Sequence, residues 1–232
     1  MRELLRKAAA DPRAYLGSFY RVHVRRRPED RLMRRWARRT YVGGHETTWL
    51  GIKLGKLPED LWIYQEVIHE TRPDVIVETG TAFGGSAHFF ASLFDLLGGG
   101  RVVSVDLDLR GDVPQHPRVD YVQGSSTDPD IVEQVRERVR GAERVMVVLD
   151  SDHSGDHVLA ELRAYAPLVT VGNYLVVEDT YLHGRPLVPG FGPGPGDARD
   201  TFLRETSEFE IDRSRNRYGL TQNPDGWLRR VR

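Results

Sequence analysis

The chain has 232 residues, a length that suits one large domain or a domain with an appended segment rather than two full domains. Its formal net charge of −1 argues against general nucleic-acid binding, and no apolar run approaches the roughly 20 residues needed to cross a bilayer. The lack of cysteine excludes disulfides, thiolate metal sites and a cysteine nucleophile. The first residues show no signal-peptide core, so a cytoplasmic location is expected by default.

The segment Arg21–Arg39, with the sequence RVHVRRRPEDRLMRRWARR, is strongly basic. It either binds a phosphate, a nucleotide-sugar or an anionic lipid surface, or forms a solvated helical face that pairs with acids elsewhere. We favour the solvated face, because an arginine-rich stretch alone is a weak motif. Residues 1–55 are predicted to form a helical cap or oligomerisation extension of a homo-oligomer, and residues 56–232 the main domain.

From Pro73 onward, short apolar strands alternate with amphipathic helices, a pattern typical of a parallel sheet with helices on both faces, and the helix Pro58–Arg72 is predicted to begin this domain. The predicted fold class is therefore α/β and Rossmann-like, with a mostly parallel sheet flanked by helices. The predicted elements are the helix Pro58–Arg72, the strand Asp74–Gly80, the helix Ser86–Leu97, the strands Arg101–Asp108 and Val119–Gly124, the helix Asp128–Arg140, the strand Arg144–Asp150, the helix His157–Val169 and the strand Gly172–Asp179.

The rest of the chain is predicted to be less regular. The stretch His183–Asp200 is rich in glycine and proline and is predicted to be an ordered loop that covers a site. It leads into a helix over Asp197–Phe209. The stretch Tyr218–Arg232 is predicted to be a β-hairpin with Asn223–Gly226 (NPDG) as its turn.

A glycine-rich turn, ETGTAFGGSA, follows the first strand of the predicted sheet. Its spacing is neither that of a phosphate-binding GxxxxGK[ST] loop nor that of a GxGxxG dinucleotide motif. The second strand places Asp106 26 residues after Gly80, where an acid receives ribose hydroxyls. This pattern predicts an S-adenosylmethionine site and a class I methyltransferase, although Asp106 can instead cap the next turn. The predicted cofactor residues are Glu78, Gly80, Gly84, Ser86 and Asp106.

Two further strands end in acids, one at Asp150 and the other at Glu178 and Asp179. Parallel strands present their carboxyl ends at the same edge of a sheet, so these carboxylates are expected to converge. Without a counter-ion they would repel one another and be costly to desolvate, and we therefore predict a bound divalent cation. Oxygen ligands favour Mg²⁺, or secondarily Mn²⁺ or Ca²⁺, over zinc.

The loop after Asp150 reads SDHSGDH and carries the candidate base. His153 lies three residues past Asp150 and can take a proton from a hydroxyl beside the metal, or it can be a capping or packing residue. Asp152 is expected to assist the metal or to orient His153. Asp156 and His157 are expected to open the following helix, where an acid complements the helix dipole.

The chain resembles the metal-dependent O-methyltransferases grouped under the cephalosporin hydroxylase name, and most closely the actinobacterial rhamnosyl O-methyltransferases. The resemblance covers roughly the last four-fifths of the chain, and its most specific motifs are LDSDHS and VVED together with PGFGPGP. The shared stretches are TTWLGIKLGKLPEDLWIYQEVI, ETGTAFGGSA, SSTDP, LDSDHSGDHVLAEL, GNYLVVEDTYLHGRPLVPGFGPGP and TQNPDGWL.

The resemblance implies roles for the candidate site residues. It implies that Asp150, Glu178 and Asp179 bind Mg²⁺ and that His153 is the general base. It also implies that Ser126 lies near the adenine and that Glu78, Gly80 and Asp106 bind the cofactor. The implied reaction moves a methyl group from S-adenosylmethionine to a sugar hydroxyl of a small-molecule glycoside, rhamnose or another deoxysugar of a natural product or glycolipid, under the PGFGPGP loop.

Three other functions compete with this interpretation. A catechol O-methyltransferase would also place a diol on Mg²⁺. An iron oxygenase normally presents two histidines and one carboxylate, whereas the predicted cluster consists of carboxylates. A non-catalytic nucleotide-binding or assembly module would not need the acidic cluster.

Overall fold

The computed structural model describes residues 47–109, 113–182 and 193–232, together with Arg35. The rest of the basic segment Arg21–Arg39 and the first part of the PGFGPGP loop lie outside the described residues, as does most of the predicted extension 1–55. The division of the chain at residue 55 and the roles predicted for these segments stay predictions.

The described chain begins with a short hairpin and continues as alternating strands and helices. Its elements are β1 (Thr47–Trp49), β2 (Ile52–Leu54), α1 (Pro58–Thr71), β3 (Val75–Thr79), α2 (Gly85–Leu97), β4 (Arg101–Asp106), β5 (Val119–Gln123), α3 (Pro129–Val139), β6 (Val145–Leu149), α4 (Gly155–Tyr165), β7 (Tyr174–Val177), α5 (Pro195–Glu205), β8 (Phe209–Ile211) and β9 (Trp227–Arg230).

Seven of these strands form one sheet in the order β5, β4, β3, β6, β7, β9, β8. The first five run parallel, and β9 lies antiparallel to both β7 and β8. This mostly parallel sheet with helices confirms the predicted α/β class. Among the described residues, no helix has the length and apolar character required to cross a membrane.

Two hydrophobic layers cover the sheet, because successive side chains of each strand point to opposite faces. Val75 and Val77 of β3 belong to the layer formed with α3, α4 and α5, whereas Ile76 belongs to the layer formed with α1 and α2. The strands β3 and β6 are buried throughout, as expected for central parallel strands. Helices on both sides thus leave the carboxyl ends of the strands as the accessible edge.

The predicted strands are present, but most end one or two residues earlier than predicted, so that Gly80, Asp150 and Asp179 lie in the following loops. The helix predicted over His157–Val169 starts earlier and gives way to a 3₁₀ turn at Ala166–Leu168. Pro167 explains the change, since proline cannot donate the next helical hydrogen bond. The helix predicted over Asp197–Phe209 occupies Pro195–Glu205 instead.

The predicted hairpin over Tyr218–Arg232 is wrong. NPDG does form a turn, in which the Gly226 amide donates to the Asn223 carbonyl at 2.9 Å, but the strand after it pairs with β7 and β8. Trp227 and Leu228 are both fully buried, which requires cover on both faces of the strand. A two-stranded hairpin does not provide that cover, and insertion into the main sheet does.

The β1–β2 hairpin lies against the start of α2. The rings of Trp49 and Phe89 meet edge to face at 5.0 Å, and Trp49 Nε1 donates to Ser92 Oγ at 3.1 Å. A Cβ atom on Gly85 would stand 2.0 Å from the carbonyl oxygen of Lys53. Glycine at position 85 therefore lets the hairpin backbone approach the helix.

We expect Gly85→Ala to lower the free energy of unfolding by about 1–3 kcal/mol, because the added methyl group forces the hairpin away from α2. Chemical denaturation measures this loss. The matched control is Gly99→Ala, at an exposed position where an added Cβ atom would meet no described atom within 4 Å, and a change within about 0.5 kcal/mol is expected there. Equal losses in the two variants would contradict the steric explanation.

Candidate active site

Two adjoining clefts open at the carboxyl edge of the sheet. The larger has a volume of about 580 Å³, the smaller has a volume of about 240 Å³, and both are lined by Gly80, Ala82, Asp150 and Ser151. The larger cleft is also lined by Val105, Asp106, Leu107, Asp108, Ser125, Ser126, Asp152 and His157. Further residues of the smaller cleft include Lys53, Lys56, Phe83, Ser86, His153, Glu178, Asp179 and Gln222.

Glu78 is the second-last residue of β3, and its carboxylate is fully buried. Its Oε2 accepts a hydrogen bond from Ser104 Oγ at 2.8 Å, whereas its Oε1 has no partner among the described residues. Burial raises the pKa of Glu78 to about 7, against the opposing effects of Lys56 and of hydrogen bonds from Ser86 and Ser104. A buried acid with an unpaired oxygen beside a glycine-rich turn fits a contact with a positively charged ligand.

The glycine-rich turn after Glu78 leaves no room for a side chain at its glycine positions. A Cβ atom on Gly80 (φ +89°) would stand 1.9 Å from the Asp150 carbonyl oxygen, and Gly84 (φ +78°) caps α2 in the left-handed conformation. Asp106 Oδ2 accepts from the Ala82 amide at 2.8 Å. Asp106 therefore holds the turn and also lines the larger cleft, so both roles considered for it are compatible with the structure.

The other two predicted cofactor residues lie in different clefts. Ser86 is buried in the first turn of α2 and lines the smaller cleft. Ser126 is buried beside the larger cleft, with its Oγ 3.1 Å from His157 Nε2. The structure therefore groups Ser126 with Asp106 on the larger cleft and places Ser86 on the smaller one, whereas Glu78 and Gly84 line neither.

Lys56, which the sequence analysis did not single out, supplies a positive charge inside the acidic cluster. Its Nζ lies 2.7 Å from Asp150 Oδ2 and 2.8 Å from Glu178 Oε1, and its side chain is 2% exposed. Burial alone would lower the pKa of Lys56, but the charges of Asp150, Glu178 and Glu78 raise it well above its ordinary value. The converging carboxylates thus have a counter-ion within the chain.

A group of three side chains is able to hold a metal ion. Ligand atoms of Asp150, His153 and Asp179 all lie within 4.8 Å of one another, and His153 Nε2 lies 2.9 Å from Asp179 Oδ2. Glu178 is not in this group. Its Oε1 contacts Lys56 Nζ and accepts a hydrogen bond from the Tyr64 hydroxyl. Two of the three predicted acids, Asp150 and Asp179, therefore converge beside His153, whereas Glu178 faces Lys56 and Tyr64.

His153 carries a perturbed pKa. Burial would lower it, but the hydrogen bond to Asp179 and the charges of Asp179, Asp150 and Asp152 outweigh burial and raise the pKa to about 9. With these acids uncompensated, His153 is protonated at neutral pH. A general base must be neutral, so the role predicted for His153 requires compensation of the neighbouring negative charge.

The polar segment Thr221–Asn223 supports the backbone and the side chain of Asp179 through hydrogen bonds and close polar contacts. The Asp179 amide donates to Asn223 Oδ1 at 3.0 Å, and Gln222 Nε2 lies 3.4 Å from Asp179 Oδ1. Gln222 Oε1 also accepts from the Leu57 amide at 2.9 Å. These contacts support Asp179 in a left-handed conformation (φ +56°), which is unusual for a residue other than glycine. The shared stretch TQNPDGWL was the signal that pointed to this segment.

The fold and the clefts at its carboxyl edge define the chain as a Rossmann-like α/β protein of the methyltransferase class. Residues 42–231 match the family model described as Rhamnosyl O-methyltransferase/CmcI. This match covers more than half of the chain, and the chain belongs to that family.

Curated relatives agree with the family assignment. Two proteins named rhamnosyl O-methyltransferase, from Mycobacterium tuberculosis (strain ATCC 25618 / H37Rv) and Mycobacterium bovis (strain BCG / Pasteur 1173P2), are each 40% identical over 190 residues, which is 79% of this chain and 78% of theirs. A third from Mycobacterium leprae (strain TN) is 41% identical over 189 residues, which is 78% of this chain and 82% of its own.

Solved structures of CmcI share the fold. An apo structure superposes with a TM-score of 0.62 at 22% identity, over 80% of this chain and 76% of that one. A CmcI structure with Mg and SAM gives the same TM-score and identity, over 80% and 77% of the two chains. This likeness establishes the fold.

We expect Lys56→Met to lower the free energy of unfolding by about 3–5 kcal/mol near pH 8, because it removes the ammonium that is paired with the buried Glu178 and with the partly exposed Asp150. Burial already raises the pKa of both carboxyls, and loss of the ammonium raises each further. Groups with raised pKa in the folded state take up protons as the pH falls, so the defect should shrink toward pH 5.

Urea denaturation at both pH values, in the presence of a chelator, measures the defect. Lys53→Met is the matched control, since Lys53 is exposed on β2, and it should change stability by no more than about 0.5 kcal/mol at either pH. A Lys56→Met defect of equal size at both pH values would contradict the electrostatic explanation.

Proposed function

We propose that the chain transfers a methyl group from S-adenosylmethionine to a sugar hydroxyl, that of rhamnose or another deoxysugar, in a Mg²⁺-dependent reaction. The observation that carries this proposal is the convergence of Asp150, His153 and Asp179 beside two adjoining clefts. The names of the mycobacterial relatives support a rhamnosyl acceptor. The acceptor sugar is proposed to belong to a glycosylated natural product or a glycolipid.

The larger cleft is the proposed cofactor site. Asp106 at the end of β4 is placed to receive ribose hydroxyls, and Ser126 lies near the proposed adenine position. Gly80 lines this cleft and Gly84 lies in the same turn. Glu78, whose buried Oε1 has no hydrogen-bond partner among the described residues, is proposed to face the cationic methionine end. S-adenosylmethionine supplies an electrophilic methyl group attached to a sulfonium.

The acids at the ends of β6 and β7 are the proposed metal ligands. Asp150 and Asp179 would hold the ion, with Glu178 as the third ligand through a carboxylate that also contacts Lys56. The donor oxygens fit Mg²⁺, with Mn²⁺ or Ca²⁺ as alternatives. A divalent ion lowers the pKa of a hydroxyl bound to it. His153 is proposed to take the proton of that hydroxyl at Nε2, the atom that faces Asp179.

The smaller cleft is the proposed acceptor site. At about 240 Å³ it is smaller than the roughly 300–1,000 Å³ of drug-sized sites, so it suits one ring of a glycoside with the rest of the molecule outside. Phe83, whose side chain is 44% exposed, and Lys53 stand on its wall, with the Lys53 ammonium 5.2 Å from the ring centroid. A sugar ring between this wall and the acids presents its vicinal hydroxyls to the metal ligands.

The deciding experiment is transfer of labelled methyl from S-adenosylmethionine to a panel of rhamnosides and catechols, with Mg²⁺ or with a chelator. We expect Mg²⁺-dependent labelling of a rhamnoside, with the label on a hydroxyl that has a free vicinal neighbour. Labelling of catechols alone would overturn the sugar acceptor and leave the metal site intact. Labelling that is indifferent to the chelator would overturn the metal role.

Asp150→Asn should reduce methyl transfer by at least about 100-fold, because it removes a charged oxygen ligand from the proposed metal site. Binding of S-adenosylhomocysteine, measured by calorimetry, should change by less than about threefold, since the predicted cofactor acids are intact. Asp130→Asn, which changes an exposed acid of α3, is the control and should retain activity. Full activity of Asp150→Asn in the presence of chelator would rule out the metal role.

A further inference from the structure

Glu161 of α4 is a fully buried acid that the proposed reaction does not use. Its Oε1 accepts a hydrogen bond from Ser151 Oγ at 2.7 Å and lies 3.6 Å from His157 Nε2. Its Oε2 is buried without a hydrogen-bond partner among the described residues. Burial of a carboxylate costs desolvation free energy, so a buried acid at this position suggests a functional role.

The two contacts of Glu161 join both ends of one loop. Ser151 directly follows Asp150, and His157 lies in the first turn of α4. The intervening residues include His153, the proposed base. One buried side chain thus fixes both ends of the segment on which Asp150 and His153 are placed.

His157 also faces the proposed cofactor site. It lines the larger cleft together with Asp106 and Ser126, and its side chain is 25% exposed. Its Nε2 lies 3.1 Å from Ser126 Oγ. The neighbouring carboxylate of Glu161, against the opposing effect of burial, raises the pKa of His157. The sequence pattern predicts only that His157 opens the helix, whereas the structure also places it on the wall of the cleft.

A second residue of α4, Tyr165, also contacts Ser126 on the wall of the larger cleft. The Tyr165 hydroxyl donates to the carbonyl oxygen of Ser126 at 2.9 Å. The loop after β5 is therefore held by two side chains of α4, spaced eight residues apart, through His157 and Tyr165. Hydrogen bonds and close polar contacts run without a break from Ser126 through His157 and Glu161 to Ser151.

We propose that His157 is a cofactor-binding residue that contacts the adenosyl part of the ligand in the larger cleft, and that Glu161 is the positioning residue that holds it there. The identity of the ligand rests on the proposed function. Glu161 thereby links the cofactor cleft to the loop that carries Asp150 and His153.

The test is a double-mutant cycle read by calorimetric binding of S-adenosylhomocysteine to the full chain. His157→Ala should raise the dissociation constant about five- to tenfold, as expected for loss of one hydrogen-bonding group. Glu161→Gln, which keeps the shape of the side chain and removes its charge, should raise it about threefold. In the His157→Ala background, Glu161→Gln should have no further effect, because Glu161 acts on the ligand through His157.

Asp156→Asn, an exposed acid in the same turn of α4, is the matched control and should bind with the wild-type dissociation constant. Thermal melting of every variant separates loss of binding from loss of fold. His157→Gln replaces His157→Ala if the alanine variant does not fold, and it should also bind more weakly.

Wild-type affinity in a folded His157 variant would overturn the binding role, and additive effects in the double variant would overturn the positioning role. Absence of S-adenosylhomocysteine binding by the wild-type chain would instead overturn the proposed function, and this inference with it. The two failures are therefore distinguishable by the wild-type measurement alone.

Discussion

The ion pairs of Lys56 with Asp150 and Glu178 are the interaction on which the rest of the site depends. Parallel strands bring acids to one edge of the sheet, and an ammonium 2% exposed to solvent offsets part of their negative charge. With His153 neutral, the carboxylates of Asp150, Glu178 and Asp179 and the ammonium of Lys56 carry a formal charge of −2, which matches a divalent cation. Lys56 thus lowers the electrostatic cost of the converging acids and leaves the oxygens of Asp179 free of contact with its ammonium.

Much of the fold and part of the site were predictable from local patterns. The apolar runs of β3 and β6, the glycines after Glu78 and the acids after β6 and β7 are each visible within a few residues of sequence. Burial on both faces and the shared carboxyl edge then determine that these groups meet. Element boundaries were less predictable, since proline and cap geometry decide them, as at Pro167.

The parts that sequence reasoning missed depend on contacts between distant positions. Lys56 meets Asp150 across 94 residues, and Leu57 meets Gln222 across 165. Neither residue type nor spacing indicates such a pairing in a single sequence. The C-terminal hairpin was mispredicted for a related reason. NPDG does form a turn, but the following strand pairs with the main sheet because this pairing buries Trp227 and Leu228.

The contacts of Gln222 and Asn223 have a consequence for the order in which the protein folds. Asp179 is supported by a segment that also binds Leu57 and Asp60, so its conformation depends on two distant stretches of the chain. Closing such long loops is slow compared with forming local helices. We expect folding intermediates to contain the parallel strands before Asp179 adopts its final conformation. Competence to bind a metal should therefore be among the last properties that the folding chain acquires.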